Sequence, residues 1–226
     1  MSLVVLGATG RTGQEVVRQG LDRGLDVTAL VRRREGLPIE HDRLRVVVGD
    51  ARDAAVIEDL LPGATGVVSS LGLPASGRSH AEIDDSRSVD VCLVSTELLL
   101  AAMPRHGVRN LYAMSTHGAG SSNDGSPYVR WLRDLVGNRV GDKDRMEELL
   151  AGYGAGEVRW TVGRNPAIYE GPRRPHAVHE HIVLDRSSRI TYADLATFAI
   201  DEALEPRYTG KFLTITEPLL GDEHPA

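Results

Sequence analysis

The sequence predicts an α/β fold, a doubly wound parallel sheet covered by helices on both faces. Three features of the chain carry that expectation. Apolar runs of strand length alternate with helical stretches along the 226 residues, the pattern of a parallel sheet buried on both sides. A glycine turn, Gly7-Ala8-Thr9-Gly10-Arg11-Thr12-Gly13, follows the first apolar run directly. Small and polar residues stand just after the runs, where an open sheet of this kind presents its ligand crevice.

The strands are expected in order at Leu3–Leu6, Val27–Val31, Leu44–Val48, Thr65–Leu71, Asn110–Ser115 and Glu157–Gly163, with a late short strand at Phe212–Ile215. Helices are expected at Gln14–Leu21, whose Val16, Val17 and Leu21 can face a sheet, and at Asp53–Leu60, Val89–Met103, Asp142–Leu150 and Tyr192–Glu202. Length and a 41% hydrophobic content allow one sizeable core. We therefore expect a single domain over residues 1–226, its part from about residue 164 forming a small substrate-pocket elaboration.

A dinucleotide pyrophosphate needs backbone N–H groups close to its oxygens and the positive end of a helix behind them. The glycine turn supplies both. Gly7 suits a tight exit from the strand, Gly10 lets the backbone reach the phosphates, and Gly13 lets the helix pack on the sheet. Thr9, Arg11 and Thr12 complete the turn, whose GxxGxxG spacing is one residue longer in its first gap than GxGxxG.

The end of the second strand selects the cofactor. A carboxylate there accepts from the ribose 2′-hydroxyl of NAD, whereas an arginine accommodates the 2′-phosphate of NADP. Here the strand ends in Arg32-Arg33-Arg34. Arg32 and Arg33 are the expected phosphate contacts, with Arg11 approaching from the turn, so the cofactor expected is NADP(H); a solvated basic loop is the plain alternative. Asp50, followed by Ala51, stands where a carboxylate can accept from the adenine amine, or where an aspartate simply makes a turn. Ser70, Leu71 and Gly72 are compact enough to let the nicotinamide ribose pass, as a plain tight turn also is.

The net charge of −6, with both signs interspersed, offers no basic field for nucleic acid. No stretch has the length of a membrane span, and the first apolar run is short for a signal peptide. The single cysteine, Cys92, suits a reducing compartment and reads as a small buried residue rather than a nucleophile. A cytoplasmic protein, monomer or homodimer, is expected.

The segments GATGRTG, ALVRRRE, VVVGDARD, SSLG, AMST, WTVGRNP and RITYADLATFAI occur in the order found in atypical short-chain dehydrogenases. The chain resembles their NAD(P)H-binding, NmrA-like branch, from Ser2 to about Pro218. The resemblance implies a Rossmann-like domain with a shallow pocket over the nicotinamide. Within the branch the likeness is strongest to NADPH-dependent flavin reductases. Some members pass hydride to flavins, quinones or other conjugated acceptors, and others only sense the NADPH to NADP ratio, which would bring in a protein partner. Hydride transfer to a planar small-molecule acceptor and a non-catalytic sensor are thus the two functions implied. A sugar-nucleotide epimerase or dehydratase is disfavoured, because such enzymes keep a catalytic tyrosine.

No tyrosine here has a lysine four residues later, so the Tyr-x-x-x-Lys pair of ordinary short-chain dehydrogenases is missing. By the resemblance, Lys143 faces the nicotinamide ribose; an ordinary surface lysine paired with Glu147 is the alternative. The flavin reductases' active-site serine falls at Thr116, with Ser115 before it, and their histidine falls at Ala167. A hydroxyl is kept and an imidazole is lost. Proton supply is then left to His117, Lys143 or water. Pro166 and Ala167 are expected near the nicotinamide and Tyr169 at the pocket rim, with a structural turn as the competing reading.

Two further stretches stand out. Gly118–Pro127 is small and polar, long enough for a mobile lid after the fifth strand, with Tyr128 and Trp131 beyond it to cover a planar acceptor or to pack a short helix. His176, His179 and His181 match no ordinary zinc spacing, and no metal is expected.

Overall fold

The computed structural model describes residues 1–72, 89–154 and 156–218. Strands β1 (Ser2–Leu6), β2 (Asp26–Val31), β3 (Leu44–Val48), β4 (Gly66–Ser69), β5 (Asn110–Thr116) and β6 (Arg159–Asn165) are all parallel, in the order 3-2-1-4-5-6. The sheet continues through β10 (Lys211–Thr216), parallel to β6, to an antiparallel edge strand β8 (Ala177–His179). Leu3 to Leu6 are wholly buried, as a central strand covered on both faces must be.

Two cores lie on either side. Helices α1 (Arg11–Asp22) and α6 (Tyr192–Leu204) cover one face, with Val16, Val17, Phe198 and Ile200 packed against Leu3, Val5 and Tyr112. On the other, Ile57 and Leu60 of α2 (Ala54–Leu60), Leu99 of α3 (Val91–Ala102) and Met146 and Leu150 of α5 (Asn138–Tyr153) meet Val4, Leu6, Val67 and Leu111. Thr191 caps α6, accepting from the Asp194 N–H at 3.0 Å. The strand order reverses between β1 and β4, which sets the ligand crevice at their carboxyl ends. The domain is α/β and Rossmann-like, as the sequence predicts.

Three expectations need correction. The sixth strand starts and ends two residues later than Glu157–Gly163, because Arg164 and Asn165 pair with Ser115 and Thr116 instead of turning away. The C-terminal elaboration contains strands the sequence does not announce: β7 (Ala167–Tyr169) pairs with β9 (Arg189–Thr191) in a separate two-stranded sheet. Gly118–Pro127 is no free lid. A short helical turn at Gly120–Ser122 leads into α4 (Pro127–Val136), and Gly120 N–H donates to Asp144 at 2.8 Å, Arg133 to the Gly118 carbonyl at 2.7 Å and Arg164 to Ser121 Oγ at 3.0 Å. Tyr128 and Trp131 on α4 pack with Leu132, Ile182 and Leu184.

Candidate cofactor and active site

The glycine turn closes on the end of β4. Gly7 has φ +77°, and a Cβ there would lie 2.7 Å from the Ser70 carbonyl oxygen. Ser70 Oγ donates back to the Leu6 carbonyl at 2.9 Å, so the ends of β1 and β4 are tied together. Gly13 sits against the turn itself, where a Cβ would be 2.2 Å from the Gly7 carbonyl oxygen. Gly10 differs: it is exposed, and a Cβ would meet only that same oxygen, at 3.3 Å.

Gly10 is also the N-cap of α1, and no side chain caps the helix there. The first-turn N–H groups of Arg11, Thr12 and Gly13 lack intrahelical partners by the geometry of a helix start. An exposed glycine, uncapped amides and a helix dipole fit a pyrophosphate. Thr9 and Arg11 are exposed beside it while Thr12 is buried; Arg11 lies over the Tyr192 ring at 5.8 Å.

At the end of β2, Arg32 and Arg33 are exposed. Arg34 is committed to the chain, donating to the carbonyls of Leu37 at 2.7 Å and Ile39 at 3.4 Å. At the end of β3, both Asp50 oxygens engage Arg52, and this guanidinium holds the Asp50 carboxyl down at about 2. Ala51 turns into the core with Ile57.

Lys143 reaches from α5 across two strand ends. Its Nζ donates to the Leu71 carbonyl at 2.7 Å and to the Met114 carbonyl, with exposed Gly72 alongside. It is not the partner of Glu147. That carboxylate is buried and binds Arg164, with Nη2 to Oε2 at 2.5 Å, and accepts from Ser115 Oγ at 2.5 Å. Cys92 is buried, its Sγ 3.5 Å from the Leu71 carbonyl; burial pushes the thiol up against the pull of Lys143. Asp142, next to Lys143, accepts from the Cys92 and Leu93 N–H groups at 2.9 and 3.1 Å and so anchors the start of α3.

The two hydroxyls at the end of β5 thus part company. Ser115 is 2% exposed and bound to Glu147, which removes it from the reacting edge. Thr116 is half-buried, with only long contacts to the His117 and Asn165 carbonyls at 3.3 and 3.4 Å. His117 is buried beside Thr214 Oγ1 at 3.0 Å, and burial drives its imidazole down to about 4, so it is neutral near pH 7 and no proton donor. Pro166 is buried and Ala167 exposed. Tyr169 donates to Glu217. The histidines scatter: His176 meets the Phe198 ring edge-on, His179 bonds Thr216 at 3.1 Å, and His181 is exposed.

Arg52, Asp142, Glu147 and Arg164 are the site residues that sequence reasoning missed. Only Arg52 left a signal, a cation two residues after a post-strand aspartate. The others meet partners 17 to 50 positions away.

A glycine turn and uncapped helix amides at the switch point of a parallel sheet define a nucleotide-binding protein of Rossmann-like fold. The chain belongs to the NAD(P)H-binding family, whose model matches residues 7–206, and NAD(P)H is its cofactor. It is 34% identical over 138 residues to sterol demethylase protein B of Methylococcus capsulatus, covering 58% of this chain and 39% of that one. A photosystem II assembly factor of Cyanophora paradoxa is 38% identical over 68 residues, 30% of this chain and 20% of that one. The chain therefore spans well under half the length of these curated relatives.

Solved structures share the fold at low identity. The anaerobillin reductase ChuY of Escherichia coli superposes with a TM-score of 0.75 at 17% identity, each chain covered in full. A short-chain dehydrogenase/reductase of Veillonella parvula, solved with NADP, gives 0.74 at 16% identity over 96% of this chain and 94% of that one. Among the described residues, no helix is long and apolar enough to cross a membrane.

Proposed function

We propose that this protein is an NADPH-dependent oxidoreductase that passes hydride to a flat conjugated acceptor of the flavin or quinone type. The observation that carries the reading is Lys143, whose ammonium stands on the strand-end carbonyls of Leu71 and Met114 in the crevice opened by the glycine turn. The cofactor, when bound, supplies the hydride.

The chain's own residues hold and orient. The amides at the start of α1 bind the pyrophosphate, and Arg32 and Arg33 bind the 2′-phosphate with charge-assisted bonds. Lys143 holds the nicotinamide ribose. Ser70, Leu71 and Gly72 let it pass, and Pro166 and Ala167 flank the ring. Thr116 Oγ1 donates to the acceptor or to the carboxamide. Ser115 serves this edge from behind, through Glu147.

Neither Ser115 nor His117 is able to protonate a carbonyl oxygen, since one is spent on Glu147 and the other is buried and neutral. A flavin or quinone does not need that acid, because its reduced form takes a proton from water once hydride has arrived. Position is then the main contribution of the protein. The likeness to flavin reductases and the reductase among the structural neighbours support the same reading.

The test follows NADPH absorbance with FMN, a quinone series and aldehydes. Turnover is expected on FMN or quinones and not on aldehydes, falling at least about tenfold in Thr116→Val and Lys143→Ala. Tight NADPH binding without turnover on any of these overturns the enzyme reading in favour of an NADP(H) sensor with a protein partner.

A further inference from the structure

An open depression of about 450 Å3 lies at the carboxyl end of β3, lined by Asp50, Arg52, Asp53, Asp90 and Val94. Its four charged side chains are unequally committed. Asp53 caps α2, accepting from the Ala55 N–H at 2.9 Å. Asp50 Oδ1 accepts from the Arg52 backbone N–H at 2.9 Å and from Nε at 3.1 Å, and Oδ2 accepts from Nη2 at 2.7 Å. Asp90 Oδ1 accepts from Nη1 at 3.2 Å.

A guanidinium carries five N–H bonds. The carboxylates use one each on Nε, Nη1 and Nη2, which leaves one donor on each terminal nitrogen. Asp50 and Asp90 together hold the guanidinium through all three of its nitrogens. A planar guanidinium with spare donors suits a heteroaromatic ring that offers acceptors.

We propose that Arg52, rather than Asp50, reads the purine of the dinucleotide here, so that the site accepts a carbonyl at the purine 6-position at least as well as an amine. The inference rests on the reading of the glycine turn as the pyrophosphate site, with Arg32 close enough for its charge to act on Asp50. A carboxylate edge accepts from a 6-amino group and repels a 6-oxo group. Guanidinium donors do the reverse.

The experiment compares the Kd of NADPH with that of its 6-deamino analogue, which carries hypoxanthine, by fluorescence titration. The unmodified protein is expected to bind the two within about threefold, or the analogue more tightly. Arg52→Ala weakens both and releases the Asp50 oxygens, so the analogue falls about tenfold or more behind NADPH. Arg52→Lys keeps the charge without the fork and shifts the ratio the same way. A tenfold preference for NADPH in the unmodified protein overturns the assignment and returns the base to Asp50. That ratio decides even if the variants fail to fold. Failure of both ligands to bind overturns the pyrophosphate reading itself, and with it this one.

Discussion

Glu147 on α5 and Arg164 on β6 form an ion pair in which each side chain is only 3% exposed, and the pair also holds Ser115 and Ser121. Taking two charges out of water is costly, so the pair adds little net stability over a well-packed apolar pair. What it supplies is registration: one carboxylate and one guanidinium join α5, β5, β6 and the turn after β5, and α5 carries Lys143 one helical turn before Glu147.

Removing one partner strands the other. Arg164→Met is expected to cost about 3–5 kcal/mol, because the Glu147 charge is left buried and unpaired. Replacing both, with Glu147→Leu and Arg164→Met, should recover most of that loss. Urea denaturation of the two single variants and the double closes the cycle. Additive losses would refute the coupling.

The three glycines of the turn separate folding from binding. Gly13→Ala forces a Cβ to within 2.2 Å of the Gly7 carbonyl oxygen, a backbone clash that should lower thermal stability by several degrees. Gly10→Ala meets only a 3.3 Å contact. Its cost to the free protein should be about 1 kcal/mol or less. Its methyl, however, stands on the exposed face that the pyrophosphate needs, so NADPH affinity should fall at least about tenfold. Thermal melts with and without NADPH read both effects. Unchanged NADPH stabilisation in Gly10→Ala would remove the turn as the phosphate site.

The first βαβ unit is the most legible part of the chain, because the apolar Leu3–Leu6 of β1, the glycines and the Val16, Val17, Leu21 stripe of α1 each obey a local rule. Strands β7, β8 and β9 are three residues long, too short for any period to show. The end of β6 misled for another reason. Arg164 and Asn165 look like turn residues, yet they stay in the strand because Glu147 satisfies the arginine and the His117 N–H satisfies the Asn165 carbonyl at 2.9 Å. Helix α5 extends beyond Asp142–Leu150 at both ends, because Gly141 and Gly152, which read as breaks in the sequence, lie inside it. At the site, only the resemblance points to Lys143, and its partners leave no trace in the sequence. Leu71 and Met114 bind it through backbone carbonyls, which no side-chain pattern records.

The cofactor preference follows from the end of β2, where no carboxylate stands to meet a 2′-hydroxyl and two exposed arginines do. NADPH should bind about tenfold or more tightly than NADH, the worth of charge-assisted bonds to one phosphate. Arg32→Ala with Arg33→Ala should erase the difference by weakening NADPH and leaving NADH nearly unchanged. Arg34→Ala is the control, since that side chain already serves Leu37 and Ile39. Equal affinities for the two cofactors in the unmodified protein would contradict the prediction.

His117 makes acid stability testable. Its imidazole ordinarily titrates at 6.5 and is driven to about 4 in the fold, mainly by burial, with Arg164 adding to the effect and Asp124 opposing it. Between those values the unfolded chain binds a proton that the folded chain refuses, so stability falls as pH falls. The contribution is intact above pH 6.5 and is lost progressively towards pH 4. Its size should be at most about 3 kcal/mol, since one pKa unit is worth about 1.4 kcal/mol and the imidazole moves from 6.5 to about 4. His117→Asn removes the titration, so its unfolding free energy should fall less steeply across this window, even where its stability at neutral pH is lower. His176, which burial also lowers, is present in both proteins and cancels in the comparison. Parallel curves for the two proteins between pH 7 and 4 would show that His117 titrates alike in the folded and unfolded chains.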